Sequence, residues 1–246
     1  KAPKVTEPIA EGYAEWTIGD PLEDIDPMAS VLRSPVIVPG VTTLQTVYGE
    51  APGSEPKRLP LNLDIYVDSS GSMPNANVSV SYLALAGTIL ALSALRAGAA
   101  AQATLWSGPR QFETTDGFVR DEKKILGIIT GTIGGSTAFP LHVLRDTYDT
   151  NPASIIPTHI VVISDDGAMT MLQKDERGEE GGAICTRAFQ RAGGGGTLVL
   201  NLPTGYAWPP QPRFEAIGYA VNRVSSWPDL VQFARDFVRR VYGVSN

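Results

Sequence analysis

The chain has 246 residues, 43% of them hydrophobic and 19% charged, so it is ordinary globular material able to bury a sizeable core. Its net charge of −6 excludes the basic face that a nucleic-acid partner needs, and no Lys/Arg-rich run is present to hold anionic lipid. A single cysteine, Cys185, excludes an internal disulfide framework, which favours a cytoplasmic setting over an oxidising one.

The chain starts at Lys1 with no signal-peptide pattern, as expected of a processed chain or one cut from something longer. Residues 1–58 are rich in Pro, Gly and acidic side chains. They contain short extended pieces such as "SPVIVPGVTTLQTVY" and run into the loop "GEAPGSEPKRLP". This segment reads as an extension packing on or around the domain, or as an edge strand, with Tyr13 and Trp16 as packing anchors. Residues 59–246 read as the domain itself.

From Leu61 the pattern alternates. "LNLDIYV" is strand-like and Ser79 to Arg96 helical. The stretch "YLALAGTILALSALRAGAAA", Tyr82 to Ala101, is about long enough to span a bilayer. Arg96 and the excess of Ala, Gly and Ser argue instead for a core helix covered on all sides. "AQATLWSG" reads as a strand and "RQFETTDGFV" as a hairpin. "RDEKKILGIIT" is an amphipathic helix, "GTIGGSTAF" a glycine-rich loop, and "PLHVLRDTYDT" a helix with Pro140 in its first turn. "HIVVIS" is a β-branched strand ending at "DDG". "AICTRAFQRA" is a helix, "GTLVLNL" and "EAIGYAVNRV" are strands, and "WPDLVQFARDFVRRVYG" is the closing helix. Strands alternating with helices of this length predict an α/β fold: a doubly wound, mainly parallel sheet with helices on both faces.

In such a sheet, ligands bind beyond the carboxyl ends of the strands, where the strand order reverses. Three polar loops fall on that rim. "DSSGSM" places Asp68, Ser70 and Ser72 after the first strand, "GGST" places Thr137 before a helix, and "SDDG" places Asp165 and Asp166 after a later strand. The donors are all oxygens, which suits a hard divalent cation, Mg²⁺ or alternatively Mn²⁺ or Ca²⁺, and not zinc. Each piece also has a plainer reading, because Asp, Ser and Thr commonly cap helices or form turns. Three such pieces on one predicted rim favour the metal site.

Asp68-Ser69-Ser70-Gly71-Ser72 resembles the D-x-S-x-S signature of von Willebrand factor A domains, the metal-ion-dependent adhesion site. The resemblance runs from about residue 60 to 243. Thr137 in "GGST" and an aspartate after the later strand match the rest of the family's site in order and loop type. One departure stands out, since this family usually has a single Asp before the glycine. Counting from the strand end selects Asp165, the preferred ligand, whereas counting back from Gly167 selects Asp166. The resemblance implies a Rossmann-like fold and a site in which hydroxyls bind the ion directly, aspartates act through water, and a partner's Asp or Glu completes the shell. It implies a protein-interaction module and not an enzyme.

Two settings are compatible with such a module. "GDPLEDIDP", Gly19 to Pro27, is similar to an acidic segment of bacterial proteins that partner MoxR-type AAA+ ATPases, which makes an intracellular adaptor the expected role. The alternative is an extracellular adhesive A domain. A rival of another class is a Mg²⁺-dependent phosphotransferase or hydrolase, but its D-x-D loop and rim lysine are missing; Lys123 and Lys124 fall in an amphipathic helix. "AGGGGT" lacks the lysine of a phosphate loop and reads as a helix-to-strand turn. His142, His159 and Cys185 read as structural residues, and "QKDERGEEGG" as a solvated surface turn.

Overall fold

A computed structural model describes residues 6–52, 60–73, 81–149 and 156–243, without the side chains of 6–9 and 50–52. The chain divides into two compact units, residues 1–58 and 59–246.

In the first unit, β1 (Thr6–Glu15), β2 (Ile25–Asp26) and β3 (Leu44–Pro52) form an antiparallel sheet of order β1-β3-β2, with α1 at Pro27–Arg33. The described strands of this unit pair with one another in a sheet of their own. Two of its aspartates are engaged locally. Asp26 caps α1 by accepting the Ala29 N–H at 2.9 Å, takes the Thr46 hydroxyl at 2.9 Å, and precedes Pro27 in the first helical turn. Asp20 accepts from both the N–H and the hydroxyl of Thr17. Trp16 is buried and donates its indole N–H to the Pro21 carbonyl, whereas Tyr13 is 63% exposed.

The second unit is a six-stranded sheet of β4 (Asn62–Asp68), β5 (Ala101–Trp106), β6 (Phe112–Thr114), β7 (Thr158–Ser164), β8 (Gly193–Leu200) and β9 (Tyr219–Arg223). The order is β6-β5-β4-β7-β8-β9, parallel throughout except for the β5–β6 hairpin. Strand β4 is therefore the central strand from which the order runs both ways. Every residue of β4 and of β7 is buried, as strands covered by helices on both faces must be.

The two faces alternate along β4. Leu63, Ile65 and Val67 pack with α2 (Tyr82–Arg96), α3 (Glu122–Ile129) and α7 (Trp227–Tyr242). Tyr66 packs with α4 (Leu141–Asp149), α5 (Gly181–Ala192) and α6 (Gln211–Ile217). Small residues let α2 lie close to the sheet: a Cβ on Gly87 stands 3.1 Å from both Ile129 and Ile163. No helix among the described residues is long and apolar enough to cross a membrane. The beginning of the helix expected from Ser79 lies outside the described residues.

Two elements differ from the sequence reading. "EAIGYAVNRV" is not one strand, because Glu215–Ile217 close α6 and Gly218, at φ 117°, breaks the chain before β9 begins. The glycine run enters β8 directly. Gly193 caps α5 at φ 67° and already pairs with Thr158, and a Cβ on Gly194 falls 2.4 Å from the Thr158 carbonyl oxygen. Backbone approaches too close for any side chain there.

One core position carries a carboxyl group within the sheet. Asp64, on the same face of β4 as Tyr66, is fully buried; its Oδ2 accepts the Tyr148 hydroxyl at 2.9 Å, and its Oδ1 has no hydrogen bond of good geometry among the described residues. Burial pushes its carboxyl up to about 7, against the bond from Tyr148. The folded state therefore holds a proton there that the unfolded chain releases near pH 4, and stability falls as pH rises from about 4 to about 7. The loss is roughly 4 kcal/mol by linkage. Asp64→Asn keeps the shape and removes the ionisation. Urea unfolding at pH 5 and pH 8 is expected to show a marked loss for the wild type and a much flatter response for the variant.

Candidate functional site

Asp68 is the last residue of β4, at the carboxyl rim between β5 and β7. Its Oδ1 accepts the Ser70 N–H at 2.8 Å and its Oδ2 accepts the Ser164 hydroxyl, at the end of β7, at 2.6 Å. Its carboxyl is held above the ordinary range, first by burial and further by the charge of Asp165, while the Ser164 and Ser70 bonds oppose the shift.

The turn after Asp68 is tied to the glycine-rich loop. Ser69 donates its N–H to the Trp106 carbonyl, accepts the Ile133 N–H at its hydroxyl, and accepts the Gly134 N–H at its carbonyl. Gly71 donates to the Gly135 carbonyl at 2.9 Å, and a Cβ on Gly71 lies 3.1 Å from that same oxygen. Ser107, beyond β5, holds the loop from the other side through bonds to the carbonyls of Gly134 and Ser136. The Ser70 and Ser72 hydroxyls are 3.3 Å apart, with Ser70 buried and Ser72 exposed.

Gly167 marks where the loops converge. A Cβ built on it stands 2.5 Å from Thr137 Cγ2, 3.0 Å from Asp165 Oδ1 and 3.3 Å from Asp68 Oδ2. Only a glycine leaves that space open. Asp165 accepts the Gly167 N–H at 2.8 Å and opens a 3-10 helix at Asp166–Leu172. Asp166 is exposed, so of the two aspartates it is Asp165 that stands beside Asp68. Thr137 is half-buried, and no hydrogen-bond partner for its hydroxyl is found among the described residues. The five residues singled out from the sequence thus lie on three adjoining loops. Sequence reasoning missed Ser164, although a lone hydroxyl closing the apolar strand "HIVVIS" is the signal that marks it.

Among the described residues, no group of three or more His, Cys, Asp and Glu side chains stands together as a metal cluster. This site instead offers two carboxylates and three hydroxyls. That set fits a hard cation, for which partial coordination by protein oxygens leaves places for water. A cation held between Asp68 and Asp165 would relieve the repulsion that helps raise the Asp68 carboxyl. A cavity of about 220 Å³ adjoins the site, lined in part by Asp68, Ser70, Gly71 and Met73.

The acidic turn "QKDERGEEGG" is not merely solvated. Asp175 has its side chain fully buried and accepts the N–H groups of Arg177 and Glu179. Arg145 of α4, itself buried, bonds Asp175, Glu176 and Asp146. The turn is thereby fastened to the helix that follows the Thr137 loop. His159 is a core residue bonded to Gly194 and Thr197, with burial lowering its pKa to about 4. Cys185 is buried, its thiol pushed up to about 12.

No family profile matches this sequence, and no curated protein does. Solved structures do resemble the fold. The pilus adhesin SpaC from Lactobacillus rhamnosus GG, in its open conformation, matches with TM-score 0.53 and 12% identity, over 76% of this chain and 30% of the adhesin. A mutant of the PilB minor pilin from Streptococcus sanguinis matches with TM-score 0.54 and 11% identity, over 81% of this chain and 65% of the pilin. This chain thus spans less than two thirds of either. A looser likeness, TM-score 0.46 at 19% identity over 81% of this chain and 44% of the other, is to a von Willebrand factor type A protein from Catenulispora acidiphila. At these identities the likeness is one of fold. It lends no support to the cytoplasmic expectation.

Ser164 supplies the bond that holds Asp68 Oδ2. Ser164→Ala leaves a buried carboxylate oxygen short of its donor, at a cost of about 1–3 kcal/mol. Chemical denaturation is expected to show that loss, and Ser164→Thr, which keeps the hydroxyl, is expected to recover most of it.

Proposed function

We propose that residues 59–246 form a metal-dependent protein-interaction module. Asp68, Ser70, Ser72, Thr137 and Asp165 hold a divalent cation, Mg²⁺ by preference, and a partner's Asp or Glu completes its shell. The observation that carries this reading is the convergence of three rim loops at Gly167, where Thr137 and the carboxylates of Asp165 and Asp68 all lie within 3.3 Å of the place a Cβ would take. A bound cation supplies charge for an incoming carboxylate and an exchangeable water for it to displace. The chain's own groups position that chemistry. Asp68 is fixed by Ser70 and Ser164, Asp165 by Gly167, and the Ser70–Ser72 turn by its bonds to the glycine-rich loop.

Docking suits the surroundings better than catalysis. The imidazole of His159 is spent in the core, and Lys123 and Lys124 are exposed on α3. Within the docking reading, an AAA+ ATPase adaptor and an adhesive module remain the two versions. The acidic residues Asp20 and Asp26, on which the adaptor version leans, are engaged in capping and turn bonds. The fold likeness to a pilus adhesin favours the adhesive version.

Titration calorimetry with MgCl₂, MnCl₂ and CaCl₂ is expected to show one site in the wild type, lost in Asp68→Ala and in the Ser70→Ala/Ser72→Ala double variant. A parallel rise in melting temperature with ion concentration should appear in the wild type alone. Equal heats in all three proteins refute the site. Partner binding should collapse in EDTA yet fall only modestly with added NaCl, because the chain's net charge of −6 opposes an acidic partner at long range and short-range coordination must dominate.

A further inference from the structure

A cleft of about 600 Å³ lies beside the proposed ion site and is not part of it. Its volume is that of a pocket able to enclose several side chains. Phe139 and Pro140, two and three residues after Thr137, form one wall. The Thr170 hydroxyl accepts the Phe139 N–H at 3.0 Å and donates to the Gly167 carbonyl at 2.8 Å, which couples this wall to the point where the rim loops meet. The opposite border is the β5–β6 turn, residues 108–111, closed by the Gln111 N–H on the Gly108 carbonyl. That turn abuts the Thr137 loop, since a Cβ on Gly108 falls 2.4 Å from Ser136 Oγ.

The cleft's lining combines apolar side chains with charges of both signs. Phe112, Phe139 and Leu141 are its apolar part, with His142 edge-on to Phe112 at 5.0 Å. Of its carboxylates, Asp146, Asp175 and Glu176 all bond Arg145. Among the described residues, Arg110 has no ion pair and is exposed. It is also the one non-glycine residue there with a positive φ, 59°. It follows Pro109 at the third position of its turn, the place where a type II turn takes glycine. A side chain there is held in a conformation that favours glycine, and such strain points to function. An unpaired guanidinium is thus presented over an apolar wall in a chain of net charge −6.

We propose that this cleft is a second subsite for an acidic linear segment of a partner protein. One carboxylate of the segment reaches the ion, and a second, a few residues away, is taken by Arg110, with the intervening residues against Phe112 and Phe139. The proposal deepens the docking reading above and rests on it. Guanidinium suits this task because its fork of donors matches a carboxylate.

The test uses the full chain and synthetic fluorescent nonapeptides with a central Glu and, at each other position in turn, a second Glu or Gln. Anisotropy is read in MgCl₂ or MnCl₂ and again in EDTA. The wild type is expected to prefer a second Glu at one spacing by about tenfold. Arg110→Gly, which relieves the turn and should fold at least as well, is expected to erase that preference while leaving the Gln-peptide affinity unchanged. Equal affinity for Glu and Gln peptides in the wild type, or a preference that survives Arg110→Gly, overturns the subsite while metal-dependent binding of the central Glu still stands. A second-Glu preference that needs Arg110 but persists in EDTA supports the subsite and overturns the ion reading instead. Absence of binding by every peptide overturns both.

Discussion

The Asp68 carboxylate joins two strands. One oxygen is bonded to its own turn and the other to the last hydroxyl of β7, so the ends of the two central strands are held at a common level. The remaining rim geometry follows from that. The turn after Asp68 bonds the glycine-rich loop from this position, and the 3-10 helix after β7 begins two residues beyond Ser164. A charged group so well enclosed is tolerated because donors meet both of its oxygens.

The same alternation that packs β4 sets two aspartates on one of its faces. Asp64 lies within the core and keeps its proton near neutrality, because burial outweighs the bond from Tyr148 and the weaker polar influence of Tyr66 and Gln102. Asp68, two pleats further on, lies where the helices give way to loops and backbone N–H groups become available. One side-chain type therefore takes two roles. The first limits stability at higher pH, and the second organises a rim.

Polar connections extend this order away from the strand ends. Arg145 gathers three carboxylates and fixes an acidic turn against α4. Thr170 links the 3-10 helix to Phe139. Such bonds hold loops that have little apolar surface of their own, and a site built from loops needs fixed neighbours to hold its geometry.

Much of this was legible from the chain alone. The α/β alternation, the buried character of "LNLDIYV" and the core nature of the Ala-rich helix follow from local patterns, because hydrophobic period and β-branching act over a few residues. The convergence of Asp68, Thr137 and Asp165 could be anticipated from rim position, since strand ends in a parallel sheet share one edge. Local pattern did not reveal what depends on long-range closure. "EAIGYAVNRV" looks uniformly extended until Gly218 is placed against the Phe189 ring, which ends α6 where it does. Asp165 and Asp166 are equivalent in composition, and only the direction of the chain leaving β7 turns one toward Asp68 and the other to solvent. Ser164 as a donor, Arg145 as a hub and Arg110 at a glycine-type turn position depend on residues distant in sequence. Their roles exist only once the sheet has set the loops side by side.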